Sequence, residues 1–208
     1  MPQSPSTLSP QPADKAEAHE SRNGYGRFIV LEGLSAVGKS TVAPLLAHSL
    51  DAVAMPTLLP EFEHIRKEVD KKQLVMPRLH FWMMTNYAVS ETIHHVLRNG
   101  QDVVVESYFY RTLATHSALG ITELPQVDWS RALEPDVTFL LTVDESERQR
   151  RLAERARQNG LGYWSRVEES NVTATQRMYE SFDLNRFDTN GLNVAGVVDG
   201  LTHLVKVQ

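Results

Sequence analysis

The segment FIVLEGLSAVGKSTV, residues 28–42, contains the residues whose types and spacing point most directly to chemistry. Residues 33–40 match the pattern G-x-x-x-x-G-K-[ST] at every fixed position. Glycine permits a tight turn whose backbone N–H groups point inward, and the ammonium of Lys39 can reach the end of a polyphosphate. Because the pattern follows an apolar run and opens a helical one, it predicts a loop that holds the β- and γ-phosphates of a nucleoside triphosphate, expected to be ATP. The predicted contacts come from Gly33, Ser35, Ala36, Val37, Gly38, Lys39, Ser40 and Thr41.

Two side chains with oxygen ligands are candidates for holding Mg²⁺ beside this loop. Ser40 occupies the hydroxyl position of the pattern, and Glu106 ends the apolar run at 103–105, which predicts a strand next to the loop. The alternative for Glu106 is a strand-end carboxylate in solvent. Glu32, directly before the loop, is interpreted more simply as a hydrogen-bond acceptor for loop amides.

Arginines are concentrated in residues 144–169, at positions 148, 150, 151, 155, 157 and 166. Three of them are spaced three and four residues apart and share a helix face, and Asn-Gly-Leu-Gly at 159–162 then breaks the helix. The pattern predicts a lid at about residues 156–168, with Arg151 and Arg155 facing a triphosphate and the other arginines facing outward. A salt-bridged, solvated helix face, with Glu147 and Arg151 paired, is the alternative.

Short apolar runs predict the fold. They lie at 28–31, 52–55, 102–106, 137–143 and 185–189, among segments with helical spacing. Runs that do not alternate indicate strands covered on both faces, and the strand-helix order indicates a parallel sheet, so we expect an α/β domain at 26–208. Residues 1–25 are rich in Pro, Ser, Gln and Ala and predict a disordered leader.

The composition favours small-molecule chemistry. The chain of 208 residues has a formal charge of −5, which gives no electrostatic reason to bind nucleic acid or an anionic membrane. It contains no cysteine, which excludes disulfides and thiol chemistry and fits a cytoplasmic location, and its eight histidines show no metal-ligand spacing.

The pattern at 78–100 predicts a long helix with one apolar stripe that includes Trp82 and Asn86. Asn86 is either a buried amide with protein partners or a contact to the edge of a ligand base. Trp82 and Tyr108 could bound such a base, although aromatic side chains at these spacings more often belong to the core.

Together these segments resemble the thymidylate kinase and deoxynucleoside kinase group of P-loop kinases. The resemblance covers about residues 27–205 and depends on the loop, on DVVVESY at 102–108, on EPDVTFLLTVD at 134–144 and on SRVEES at 165–170. It implies a five-stranded parallel sheet, ATP and Mg²⁺ as cofactors, a homodimer, and a lid that contains Arg151, Arg155 and Arg166.

Two departures from that group concern the acceptor. Thymidylate kinases have Asp-Arg-Tyr or a close variant after the third strand and Arg-Glu-Pro after the second, whereas this chain has Glu-Ser-Tyr at 106–108 and Met-Pro-Thr at 55–57. Both changes remove guanidinium groups that would hold the phosphate of the acceptor. Arg111, Arg78 or Arg66 could replace them.

The sequence therefore predicts an ATP-dependent phosphotransferase acting on a nucleoside monophosphate such as dTMP. The first alternative is a kinase that phosphorylates a hydroxyl, for which Glu61 or Glu63 would take the proton. A P-loop NTPase switch without an acceptor is a further alternative, and a kinase-like binding module is the last.

Overall fold

One parallel sheet organises the computed structural model, which describes residues 24–207. Within this range the sheet has five strands in the order β2-β3-β1-β4-β5, which confirms the predicted α/β architecture. The strands are β1 (Phe28–Glu32), β2 (Val53–Met55), β3 (Val103–Glu106), β4 (Val137–Thr142) and β5 (Asn185–Asp188). Apart from residues 24 and 25, the predicted leader lies outside the described residues.

Strand β1 lies at the centre of the sheet because it pairs in parallel with β3 on one side and β4 on the other. All five of its residues are buried, as expected for a continuous apolar run covered on both faces. Leu31 pairs with Glu106 in the register of β1 and β3. The segment that follows β1 therefore starts beside the last residue of β3.

Helices cover both faces of the sheet. On one face Ile29 and Leu31 pack with Leu46 and Leu201. On the other, Phe28 and Val30 pack with the helices that precede and follow β3. The helices are α1 (Lys39–Leu50), α2 (Glu63–Lys72), α3 (Val75–Arg98), α4 (Phe109–Ala118), α5 (Glu145–Asn159), α6 (Tyr163–Ser170), α7 (Val172–Glu180) and α8 (Val194–Val207), with a 3₁₀ turn at Pro60–Phe62.

Helix α3 confirms the predicted stripe. Leu79, Asn86, Val89 and Ile93 are fully buried, and they contribute to the face that packs toward β3. The helix ends at Arg98, where the sequence predicts a stop at residues 99–100. Within residues 24–207 no helix is long and apolar enough to cross a membrane.

Gly26, just before β1, provides a test of this packing. A Cβ atom at position 26 would lie 2.1 Å from the carbonyl oxygen of Gln101, whereas one at Gly162 would meet nothing within 4 Å. Gly26→Ala should lower the free energy of unfolding by about 2–3 kcal/mol, because backbone has to move to relieve the contact. The control Gly162→Ala should change it by less than about 1 kcal/mol. Urea unfolding followed by circular dichroism measures both, and equal effects would contradict the packing described here.

Candidate active site

A cavity of about 1140 Å³ opens at the edge of the sheet where the strands end. Its walls come from the segments that follow β1, β2, β3 and β5, together with side chains of α3, α4 and α5. Ligands of open parallel sheets bind at this edge, because connecting loops with exposed N–H groups converge there. Residues 35–41 of the predicted phosphate loop line the cavity.

The loop wraps tightly at its start. Gly33 has φ 135°, and a Cβ atom there would lie 2.6 Å from the carbonyl oxygen of Leu141, so a larger residue is excluded on two grounds. Ala36 and Gly38 also have positive φ values, of 70° and 115°. These turns bring the backbone around the Lys39 side chain.

Lys39 is buried, and its Nζ donates to the carbonyl oxygens of Gly33 at 2.8 Å and Leu34 at 2.9 Å. Burial, together with the nearby charge of Arg111, lowers the pKa of Lys39 to about 8, although Glu106 and Glu32 oppose the shift. A buried ammonium held by carbonyl oxygens alone is incompletely compensated, and therefore attracts an anion entering the loop.

Ser40 and Glu106 are brought into contact. The Ser40 hydroxyl donates to Glu106 Oε1 at 2.7 Å, and both residues line the cavity. Thr57 donates to the carbonyl oxygens of Glu106 and Ser107, which holds the turn after β3, where Ser107 has φ 67°. A hydroxyl and a carboxylate at this separation are oxygen donors of the kind that Mg²⁺ prefers.

Two arginines of α5 face the cavity. Arg151 donates to Glu147 at 2.8 Å and to the carbonyl oxygen of Val37 at 3.2 Å, so it belongs both to an ion pair and to the loop surroundings. Arg155 is exposed and also lines the cavity. Arg166 is exposed and donates to the carbonyl of Leu161 in its own loop, outside the cavity lining.

The prediction that Arg148 faces outward is wrong. Its side chain is 1% exposed and forms ion pairs with Glu145 at 2.7 Å and with Glu169 at 2.5 Å. It also donates to the carbonyl oxygen of Ser35 at 3.3 Å. Carboxylates from α5 and α6 compensate its charge, a tertiary arrangement that helical spacing alone does not reveal.

Arg78 and Arg111 lie on either side of Glu168 from α6. Glu168 accepts from Arg78 at 3.1 Å and from Arg111 at 2.5 Å, and all three line the cavity. The guanidinium of Arg78 lies 4.5 Å from the ring centroid of Trp164, and Arg78 is also bonded to Asp70. Two arginines thus share a carboxylate beside the phosphate loop, with both guanidinium groups next to the space for a ligand.

Arg111 also contacts the loop itself. It donates to the carbonyl oxygen of Gly33 at 3.3 Å and to Ser35 Oγ at 3.2 Å. Arg66, by contrast, is bonded to Glu63 and Asp70 and is not among the cavity-lining residues. Of the three arginines considered for the acceptor, Arg78 and Arg111 therefore reach the cavity.

The other residues considered for the acceptor divide into two groups. Trp82 and Tyr108 both line the cavity, but the Tyr108 ring packs in the core against Phe28 and Phe109, with centroid distances of 5.3 Å and 4.6 Å. Asn86 is buried, donates to Thr112 Oγ1 at 3.0 Å and is not part of the lining. Glu61 is exposed on the 3₁₀ turn and lies outside the lining too. The structure therefore places Tyr108 at the cavity wall with its ring in the core, and places Glu61 away from the cavity.

Two residues that line the cavity, His116 and Glu168, were not predicted from the sequence, and neither were Glu169 and Tyr179, which lie behind it. His116 is buried, and its Nδ1 lies 2.7 Å from the carbonyl oxygen of Thr112, while Nε2 lies 3.4 Å from Arg78. Glu168 is the last residue of the predicted lid and Glu169 follows it, but the helical spacing of this segment does not indicate their arginine partners. Trp82 Nε1 and Thr115 Oγ1 are buried without a hydrogen-bond partner within residues 24–207, and both residues line the cavity.

The sheet order, the wrapped loop and the serine–glutamate pair define a P-loop kinase. The model of the thymidylate kinase family matches residues 31–190, and the chain belongs to that family. A probable thymidylate kinase of Methanocaldococcus jannaschii is 32% identical over 126 residues, which cover 56% of this chain and 64% of that protein. The thymidylate kinase of Dictyostelium discoideum is 28% identical over 154 residues, covering 66% of this chain and 68% of its own. The resemblance inferred from the sequence is confirmed.

Solved structures agree on the fold. The thymidylate kinase from Candida albicans superposes with a TM-score of 0.69 at 19% identity, covering 88% of this chain and 92% of that one. Deoxyadenosine kinase from M. mycoides superposes with a TM-score of 0.62 at 15% identity, covering 87% of this chain and 100% of that one. Kinases named for a nucleotide and for a nucleoside thus share this architecture.

His116 makes a pH-dependent contribution to stability. Burial, together with the charge of Arg78, lowers its pKa from 6.5 to about 4, although the hydrogen bond to Thr112 opposes the shift. The unfolded chain therefore binds a proton more tightly, so the free energy of unfolding should fall as the pH is lowered from about 6.5 to about 4, by at most about 3 kcal/mol for this group. His116→Asn retains a donor for the Thr112 carbonyl and removes the titration. Urea unfolding at pH 6.5 and 4.5 compares the two proteins, and an equal loss of stability in both would contradict this interpretation.

Proposed function

We propose that this member of the thymidylate kinase family is an ATP-dependent kinase that transfers the γ-phosphate of ATP to dTMP. The observation that carries the proposal is the contact between Ser40 and Glu106 at the mouth of an intact phosphate loop, in a chain matched to this family. A cytoplasmic location and homodimer formation are parts of the same proposal.

The residues at the cavity fit ATP and Mg²⁺. Amides of the loop and the ammonium of Lys39 would hold the β- and γ-phosphates, since both the wrapped backbone and the buried charge favour an anion there. Ser40 and Glu106 would hold Mg²⁺, which when bound neutralises charge on the phosphate oxygens. Arg151 and Arg155 would stabilise charge on the γ-phosphoryl group from the lid side.

The acceptor would bind at the end of the cavity that holds Arg78 and Arg111. Two guanidinium groups that face the same space suit a phosphate, and this pair would take the part of the arginines that the family has after its second and third strands. Trp82 would bound the base, and its Nε1 or the Thr115 hydroxyl would bond to polar edges of the ligand. Arg166 and Asn86, which do not line the cavity in this structure, would contribute only after the lid and α3 rearrange.

A hydroxyl acceptor is less well supported. It requires a carboxylate near the hydroxyl to accept a proton, and Glu61 lies outside the cavity lining. Glu63 is bonded to Arg66, whose hydrogen bond lowers the pKa of Glu63 and makes it a weaker base. A switch without an acceptor would have no use for the Arg78–Arg111 pair.

A panel of acceptors tests the proposal. The purified chain with Mg-ATP should convert ATP and dTMP to ADP and dTDP, detected by ³¹P NMR as loss of the monophosphate resonance of dTMP. Free nucleosides, other monophosphates and an acceptor-free sample complete the panel. A phosphate ester formed from a free nucleoside would contradict the assigned acceptor, and equal ATP consumption in every sample would contradict a kinase.

Lys39→Ala should reduce transfer to dTMP by at least about a hundredfold, because a charge opposite the transferring phosphoryl group is lost from a water-poor loop. The temperature of half-unfolding should stay close to that of the wild type. Lys71→Ala, at the exposed end of α2, is the matched control and should leave kcat unchanged. Retention of more than about a hundredth of the rate in Lys39→Ala would mean that the lysine is not placed as described.

A further inference from the structure

Glu32 is a fully buried carboxylate at the end of β1 that does not line the cavity. Its Oε1 accepts the backbone N–H groups of Tyr108 at 2.8 Å and Arg111 at 3.2 Å, and its Oε2 accepts the Tyr179 hydroxyl at 3.0 Å. Burial raises the pKa of Glu32 to about 7, and these bonds act in the opposite direction. A buried carboxylate needs several hydrogen-bond donors, and those of Glu32 come from α4 and α7.

The two amides lie at the start of α4, where the helix has no side-chain cap of its own. The first N–H groups of a helix have no partner within the helix, and negative charge is favourable at this end. Glu32 therefore caps α4 from a neighbouring strand. The expectation that it bonds amides of the phosphate loop is corrected, since the amides belong to the turn and helix after β3.

The capped turn places two groups that face the cavity. Glu106 lies directly before Ser107, whose φ of 67° is unfavourable for a side chain, and Arg111 lies in the first turn of α4. The Arg111 guanidinium in turn contacts Gly33, the residue that follows Glu32 in the chain. Glu32 thus connects the phosphate loop, which it precedes in the chain, to the backbone of Arg111, whose N–H it accepts.

Tyr179 extends this connection to α7, which follows the lid helix α6. The Tyr179 side chain is 1% exposed, and burial together with Glu32 raises its pKa well above the ordinary value, so the hydroxyl keeps the proton that it donates. The loop, the start of α4 and the base of the lid therefore converge on Glu32.

We propose that Glu32 is a positioning residue for the acceptor site: by capping α4 it fixes Arg111 relative to the phosphate loop. The assignment of Arg111 to acceptor binding rests on the proposed function. Glu32 itself touches neither substrate. Its effect should therefore appear in the acceptor KM and should pass through Arg111.

A double-mutant cycle separates positioning from general stability. Glu32→Gln should raise the KM for dTMP about tenfold and change the KM for ATP less than about twofold, because a neutral amide oxygen bonds the two backbone N–H groups at the start of α4 more weakly than a carboxylate does. Tyr179→Phe is the matched control that keeps the α4 cap, and it should change the KM for dTMP less than about threefold. In an Arg111→Ala background, Glu32→Gln should add less than about threefold.

Multiplicative effects of Glu32→Gln and Arg111→Ala, or an equal rise of both KM values in Glu32→Gln, would overturn the proposal. A measurement on the wild type covers the case in which Glu32→Gln does not fold. The amide protons of Tyr108 and Arg111 should exchange with solvent at least about a hundredfold more slowly than in an unstructured peptide, and rapid exchange would also overturn it. Absence of any turnover by the wild type would count against the proposed function alone, since the exchange measurement does not depend on it.

Discussion

The parallel pairing of β1 with β3 is the constraint on which the site depends. Parallel neighbours end at the same edge of a sheet, and the register that pairs Leu31 with Glu106 brings the loop after β1 next to the last residue of β3. The backbone alone therefore places the Ser40 and Glu106 side chains within hydrogen-bond distance. Because β1 is buried on both faces, the apolar core that fixes this register also fixes the position of the phosphate loop.

Positive side chains gathered at one edge of the sheet require oxygen partners. Lys39 takes two carbonyl oxygens of the loop, and Arg111 and Arg148 take consecutive glutamates of α6. Both arginines also reach Ser35, one through its hydroxyl and one through its carbonyl. The lid helix and the phosphate loop are therefore joined by two parallel bridges, and a displacement of α6 changes the surroundings of Ser35.

The features predicted correctly from the sequence are those that depend on neighbouring residues in the chain. The loop pattern, the strand runs and the end of α3 depend on residues close in sequence, so the sequence was sufficient to predict them. The burial of Arg148 and of Tyr108 depends on which elements pack against them, and no spacing within α5 or α4 encodes it. Glu61 failed as a cavity residue for a related reason: the chain between β2 and α2 turns so that this carboxylate faces solvent.

The Glu168 carboxylate, which Arg78 and Arg111 share, favours ligands of high negative charge at that end of the cavity. A group that bonds to the same N–H donors would displace Glu168, so its binding there would amount to an exchange of one anion for another. A weakly polar molecule gains little from such an exchange, whereas a dianion has more charge than the carboxylate that it replaces. Selection by charge can thus precede any recognition of shape.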